Sequence, residues 1–129
     1  MTLTQFMSKY QGTKVDFDNN FGPQCVDLYR QYCKDVLGIK QTPAVEGAKD
    51  IITNPGKLKV IHDSALADYS RGDILIWGAS STNKYGHVAI LVEPYNTKWF
   101  IVFEQDGFKQ DGAKLTLRSR ENLLGGLYI

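Results

Sequence analysis

The chain has 129 residues, 43% of them hydrophobic and 22% charged, which is the profile of one globular domain with enough length to bury a core. Its 15 basic and 14 acidic side chains leave a formal net charge of +1 with no basic stripe, which argues against a nucleic-acid partner. No apolar run approaches the roughly 18 residues of a membrane span, so no membrane partner is expected either.

The opening Met1-Thr2-Leu3-Thr4-Gln5 lacks a charged segment followed by an apolar one, so synthesis is expected in the cytoplasm without a secretory signal. Leu3, Phe6, Met7 and Tyr10 recur at helical spacing behind Thr2 and Gln5, which form a capping-box pattern, and Gly12 is the stop. Residues 13–24 are a polar loop rich in Asp, Asn and Gly. A second helix is expected over residues 25–37, where Cys25, Leu28, Tyr29, Tyr32, Cys33, Val36 and Leu37 make one apolar stripe before Gly38. A shorter helix over 45–52 is broken by Asn54-Pro55-Gly56. The period then changes. Short β-rich runs at 57–61, 74–77, 87–92, 99–106, 114–118 and 126–129 alternate with turn residues, and their short connections favour an antiparallel sheet. Helices followed by strands predict an α+β domain with the helices packed on the sheet.

Cys25 and Cys33 stand eight residues apart on the second predicted helix. At 1.5 Å rise per residue they are about 12 Å apart, beyond the roughly 7 Å Cα separation a disulfide tolerates. Both are expected to be free thiols, as in a chain made in a reducing compartment. Cys25 opens its helix directly after a loop, where the helix dipole and unpaired N–H groups favour a thiolate and offer an oxyanion hole. A small buried packing residue is the competing reading, and it suits Cys33 on the apolar stripe.

A thiol nucleophile needs a base, and the chain has 2 histidines. His62 falls in Ile61-His62-Asp63-Ser64, which is expected to be a loop. His87 begins the apolar run His87-Val88-Ala89-Ile90-Leu91-Val92 after Gly86, where an imidazole is held rigidly yet can face a cleft. The competing reading is a core histidine bonded to backbone. Glu104 and Asp106 end the next apolar run and share one face by period two, with Gln105 opposite, so a carboxylate is within reach of an imidazole on a neighbouring strand. A solvated strand end is the plain alternative.

The loop before Cys25 carries a separate pattern. Asp16, Asp18, Asn20 and Asp27 occupy positions 1, 3, 5 and 12 of a calcium-binding loop, and the Gly22 carbonyl falls at position 7. Phe21 replaces the usual glycine, Asp27 replaces the usual glutamate, and no helix clearly precedes the loop. An Asp-rich turn is the competing reading. A zinc site built on the two cysteines fits no usual ligand spacing.

Taken together, Asp16–Leu28, Gly72-Asp73-Ile74, Gly86-His87-Val88-Ala89 and Glu104-Gln105-Asp106 resemble the CHAP domain. This is the cysteine, histidine-dependent amidohydrolase/peptidase family of bacteriophage endolysins and bacterial wall hydrolases. The resemblance runs from about residue 13 to the C-terminus. It implies a papain-like α+β fold, N-terminal helices on a twisted antiparallel sheet of about six strands, in one catalytic domain over residues 1–129. It implies Cys25 as nucleophile, His87 as base and then acid, and Glu104 as the carboxylate partner. Asp106 falls where many members have Asn. The backbone N–H of Cys25 and the side chain of Gln24 are the implied oxyanion donors. Calcium is the implied structural cofactor, held by Asp16, Asp18, Asn20, Gly22 and Asp27.

The expected substrate is bacterial cell-wall peptidoglycan, cut at an amide bond of the stem peptide or cross-bridge. Endopeptidase action is favoured, with N-acetylmuramoyl-L-alanine amidase as the other possibility. The protein is expected to act as a monomer, made in the host cytoplasm and acting on the wall. Trp77, Tyr85 and Phe108 are candidates to line the substrate groove. The alternative function is a calcium-stabilised wall-binding or phage structural module without catalysis.

Overall fold

The first helix, α1 (Leu3–Tyr10), forms because Thr2 and Gln5 satisfy each other's backbone donors. The Gln5 N–H donates to Thr2 Oγ1 at 3.1 Å and the Thr2 N–H to Gln5 Oε1 at 2.8 Å. In this computed structural model, which describes residues 1–19 and 22–129, α1 buries Leu3 and Phe6, and the Phe6 ring meets Tyr10, Tyr32 and Phe103.

The second helix, α2 (Cys25–Tyr32), runs on into a π-helical turn, Cys33–Leu37, that stops at Gly38. The helical span therefore matches the expected 25–37, with its last turn widened. Gly38 takes φ +62°, and the Ile39 N–H then closes on the Cys33 carbonyl at 3.2 Å. Tyr29, Tyr32 and Cys33 are buried on the expected stripe, and both cysteines are free thiols.

The third helix is shorter than predicted, a 3₁₀ segment at Ala48–Thr53 in place of a helix over 45–52. Gly47 is extended, and its N–H is capped by the Asp50 carboxylate at 3.1 Å, so the helix starts there and not at Val45.

Six strands follow: β1 (Lys59–His62), β2 (Ile74–Trp77), β3 (His87–Pro94), β4 (Trp99–Glu104), β5 (Lys114–Ser119) and β6 (Leu123–Tyr128). They form one antiparallel sheet in the order β1-β6-β2-β3-β4-β5. The domain is α+β, as expected. Several strand bounds differ from the sequence reading: β1 begins at Lys59 and not at 57, and β3 runs on to Pro94 and not to 92. His62 is the exposed last residue of β1, opposite Gly125, and not a loop residue. β4 stops at Glu104 and not at Asp106. β6 begins at Leu123, because Gly125 and Gly126 act as strand residues instead of breakers. A Cβ at Gly125 would sit 2.1 Å from the Ile61 carbonyl oxygen, and one at Gly126 3.0 Å from the Tyr69 ring.

Alternation along the strands gives the sheet two apolar faces. Ile74, Ile76, Val88, Ile90, Phe103 and Leu127 pack with Phe6, Leu28, Tyr29 and Tyr32 on the helix side. Leu75, Trp77, Ala89, Leu91, Phe100 and Val102 form a second cluster on the other. His87 and Glu104 belong to this second set by period two, at neighbouring ends of β3 and β4.

Candidate active site

Cys25 occupies the first position of α2, half-buried. The turn is held on both sides. Gln24 donates its N–H to Asp27 Oδ2 at 2.9 Å, and its carbonyl accepts from the Asp27 N–H at 3.1 Å. The same Gln24 carbonyl accepts from Gln105 Nε2 at 2.9 Å. Gln105 is fully buried and also exchanges two hydrogen bonds with the Val15 backbone, 2.8 Å and 2.6 Å long. One side chain thus ties the end of β4 to both ends of the Asp-rich loop. Its opposite orientation was legible from period two; its partners were not.

His87 is pinned by Gly86, which has φ +76°. A Cβ there would lie 2.4 Å from the Trp77 carbonyl oxygen and 2.8 Å from Lys49 Cβ, so only glycine permits this entry into β3. The imidazole is buried. Its Nε2 lies 3.0 Å from Glu104 Oε1, the Trp77 indole packs 5.8 Å from it, and the Cys25 thiol is near enough to act on its charge. With Nε2 given to Glu104, Nδ1 is the nitrogen left for the sulfur. Burial alone would lower the His87 pKa, but the hydrogen bonds and negative charge of Cys25 and Glu104 raise it to about 9.

Glu104 is only 3% exposed. Arg118 grips it with a two-pronged contact, Nε to Oε1 at 2.6 Å and Nη2 to Oε2 at 2.8 Å. Burial would raise this carboxyl, but the bonds and charges of His87 and Arg118 hold it well below the usual carboxylate range. An ionised carboxylate only accepts, so Nε2 of His87 carries the proton between them. Arg118 was not singled out in the sequence. A lone arginine on an edge strand has no local signature, and Phe100, not Glu104, is its partner in register.

Asp106 lies beyond the end of β4. Its Oδ1 accepts the N–H groups of Phe108 (2.8 Å) and Lys109 (3.4 Å), so one oxygen shapes the following turn. The residue also lines a cleft of about 420 Å³ beside His87, with Trp77, Asn83, Phe108 and Arg118. Phe108 stands exposed at its rim. Tyr85 is not part of that lining; it packs against Gly47. Gln24 is exposed next to Cys25, with its Cγ 3.3 Å from where a Gly107 Cβ would lie.

In the preceding loop, carboxylate oxygens of Asp16, Asp18 and Asp27 all come within 4.8 Å of one another. Asp27 is buried and its pKa is raised to about 6, first by burial and further by the charges of Asp18 and Asp16, against a lowering hydrogen bond from Gln24. Among the described residues, buried Asp16 Oδ1 has no hydrogen-bond partner. Converging, mutually repelling carboxylates with an orphaned buried oxygen fit a hard cation such as calcium. Gly22 takes φ +74° in this loop. Asn20, the remaining expected ligand, lies outside the described residues.

The family model of the CHAP domain matches residues 14–106, a span that includes Cys25, His87 and Glu104 and ends before Arg118. The chain belongs to the CHAP domain family. It is 29% identical over 108 residues to Endolysin PlyTW of Staphylococcus phage Twort (strain DSM 17442 / HER 48), a match covering 81% of this chain and 23% of that endolysin. Among solved structures it resembles the endolysin LysIME-EF1, with a TM-score of 0.77 at 21% identity, covering 99% of this chain and 64% of the other. It also resembles Ly7917, with a TM-score of 0.70 at 20% identity, covering 98% and 62% respectively. This CHAP domain therefore corresponds to part of longer relatives and has the papain-like α+β fold the family resemblance implied. Among the described residues no helix is long and apolar enough to cross a membrane.

Proposed function

We propose that this CHAP domain is a peptidoglycan hydrolase that cuts an amide bond of the stem peptide or cross-bridge by cysteine nucleophilic catalysis, with endopeptidase action favoured over amidase action. The reading is carried by His87, hydrogen-bonded to Glu104, acted on by the Cys25 thiol and lining a cleft. The Cys25 thiolate attacks the carbonyl carbon while the Cys25 N–H and the Gln24 side chain receive the oxyanion. His87 passes its proton to the departing amine as the C–N bond breaks, leaving a thioester on Cys25. It then takes a proton from water, whose hydroxide adds to the thioester carbonyl, and the acyl product leaves as the thiolate re-forms. Glu104 keeps the imidazole turned toward the sulfur and stabilises its protonated form.

Purified cell walls incubated with the protein are expected to release fragments whose mass spectra show a newly freed amine and carboxylate at one amide bond. Binding to walls with no released fragments would instead mark a wall-binding module and overturn the reading.

We also assign calcium to the loop as a structural cofactor held by Asp16, Asp18, Asp27, Asn20 and the Gly22 carbonyl. Bound there, it supplies the positive charge that lets three clustered carboxylates coexist. Asp27 links this to the nucleophile, since its carboxylate also takes the Gln24 N–H at the turn into α2. An excess of chelator is expected to lower both the melting temperature and the lysis rate, and calcium to restore both, while magnesium restores them poorly. Because burial and the neighbouring Asp18 and Asp16 charges raise the Asp27 carboxyl to about 6, calcium affinity should weaken as pH falls through that value. Unchanged stability and lysis in excess chelator would identify an ordinary acidic turn.

A further inference from the structure

Arg118 lies outside the residues matched by the family model, yet it touches the most buried acid of the site. Its guanidinium meets both oxygens of Glu104, and Oε1 is shared with Nε2 of His87. A carboxylate bound by one partner can swing about its last torsion. Gripped by a planar fork, it has one orientation, and that orientation aims Oε1 at the imidazole.

The fork is itself held. The guanidinium lies 5.6 Å from the centre of the Trp77 indole, and the same indole packs 5.8 Å from the His87 ring. Trp77 in turn donates Nε1–H to the Ser119 carbonyl at 2.8 Å, next to Arg118 on β5. One aromatic ring thus sits against both groups that contact Glu104 and is tied to the strand that carries one of them.

We propose that Arg118 is a positioning residue of the active site, fixing Glu104 as the ionised, oriented partner of His87. The proposal rests on the cysteine-hydrolase reading for its effect on turnover. The charged groups around Glu104 are His87 from β3, Arg118 and Lys114 from β5, Asp106 beyond β4, and Cys25 from α2 beyond His87. Lys114 stands opposite Glu104 in register but turns its ammonium to Asp111 Oδ2 at 2.7 Å. Asp106 adds negative charge. Without Arg118, the buried Glu104 therefore keeps only the imidazole as a close cationic partner, and its protonated form becomes easier to reach.

The test compares Arg118→Gln and Arg118→Lys with the unaltered protein in two measurements. In wall hydrolysis, Arg118→Gln should lower kcat about 10- to 100-fold, the scale of losing an outer partner of an active group, with KM little changed. The acid limb of its pH profile should move to higher pH. Arg118→Lys should recover part of both, since an ammonium keeps the charge but not the fork. In parallel, ¹³C-carboxyl NMR of glutamate-labelled protein should show Glu104 titrating far below the other glutamates in the unaltered chain and rising toward them in Arg118→Gln. This second measurement needs no substrate. If the unaltered protein fails to hydrolyse walls, the functional reading fails while the carboxyl titration still decides the role of Arg118. An unmoved Glu104 titration and acid limb in Arg118→Gln would overturn the proposal. So would a raised KM with unchanged kcat, which would make Arg118 a substrate contact.

Discussion

Cys25→Ala is expected to abolish wall lysis while leaving the melting temperature nearly unchanged, and Cys33→Ala is expected to do the reverse. The two thiols sit eight residues apart in one helical run, but their surroundings differ. Cys25 is half-buried at the first position of α2, beside an imidazole whose pKa its own charge helps to raise. Replacing it removes the sulfur whose charge acts on His87 and takes away a side chain that is only half-buried. Cys33 is fully buried in the helix-side core, and burial pushes its thiol up to about 11, so it is inert as a nucleophile. Truncating it opens a small cavity and should cost about 1–3 kcal/mol of stability, with activity retained below the new melting point. Clearing of a wall suspension read beside thermal unfolding separates the two effects. Equal loss of activity from both variants, with both still folded, would remove Cys25 from the role of nucleophile.

His87→Ala should lower the lysis rate by about 10²–10⁴-fold, the usual contribution of a positioned acid–base group, and His62→Ala should leave it unchanged. His62 is exposed at the end of β1, a strand at the far edge of the sheet from β5. The pH dependence sharpens the test. The folded-state pKa of His87 is raised to about 9, so the stability drawn from its protonated form is complete below its unfolded value of about 6.5 and is lost as pH rises through about 9. Glu104 behaves oppositely. Its pKa is depressed, so its contribution is present above an unfolded value of about 4.3 and is lost as pH falls through its lower folded value. The stability advantage of the unaltered protein over His87→Ala should therefore shrink as pH rises through about 9, and wild-type activity should fall over the same interval as the imidazolium loses its proton. An inactive His62→Ala beside an active His87→Ala would transfer the base to the other histidine.

Much of this architecture is written in short-range patterns. The capping box of α1, the apolar stripe of α2 and the period-two strands depend on neighbours within a few residues, where backbone hydrogen bonding and side-chain spacing decide the outcome. Cys25 at a helix start, His87 behind Gly86 and the alternating carboxylates of the Asp-rich loop were readable for the same reason. What sequence alone could not decide was which distant groups share a dielectric environment. The insertion of β6 between β1 and β2, with two glycines admitting the Ile61 backbone and Tyr69, is a matter of long-range packing. So is the burial of Gln105 against Val15 and Gln24, about 90 and 81 positions away. Arg118 is the sharpest case. Nothing in Lys114–Ser119 marks it, and only the pairing of β5 with β4, with Trp77 against the guanidinium, brings its charge to a buried carboxylate, where an unpaired ion would be costly and a forked partner fixes both charge and direction.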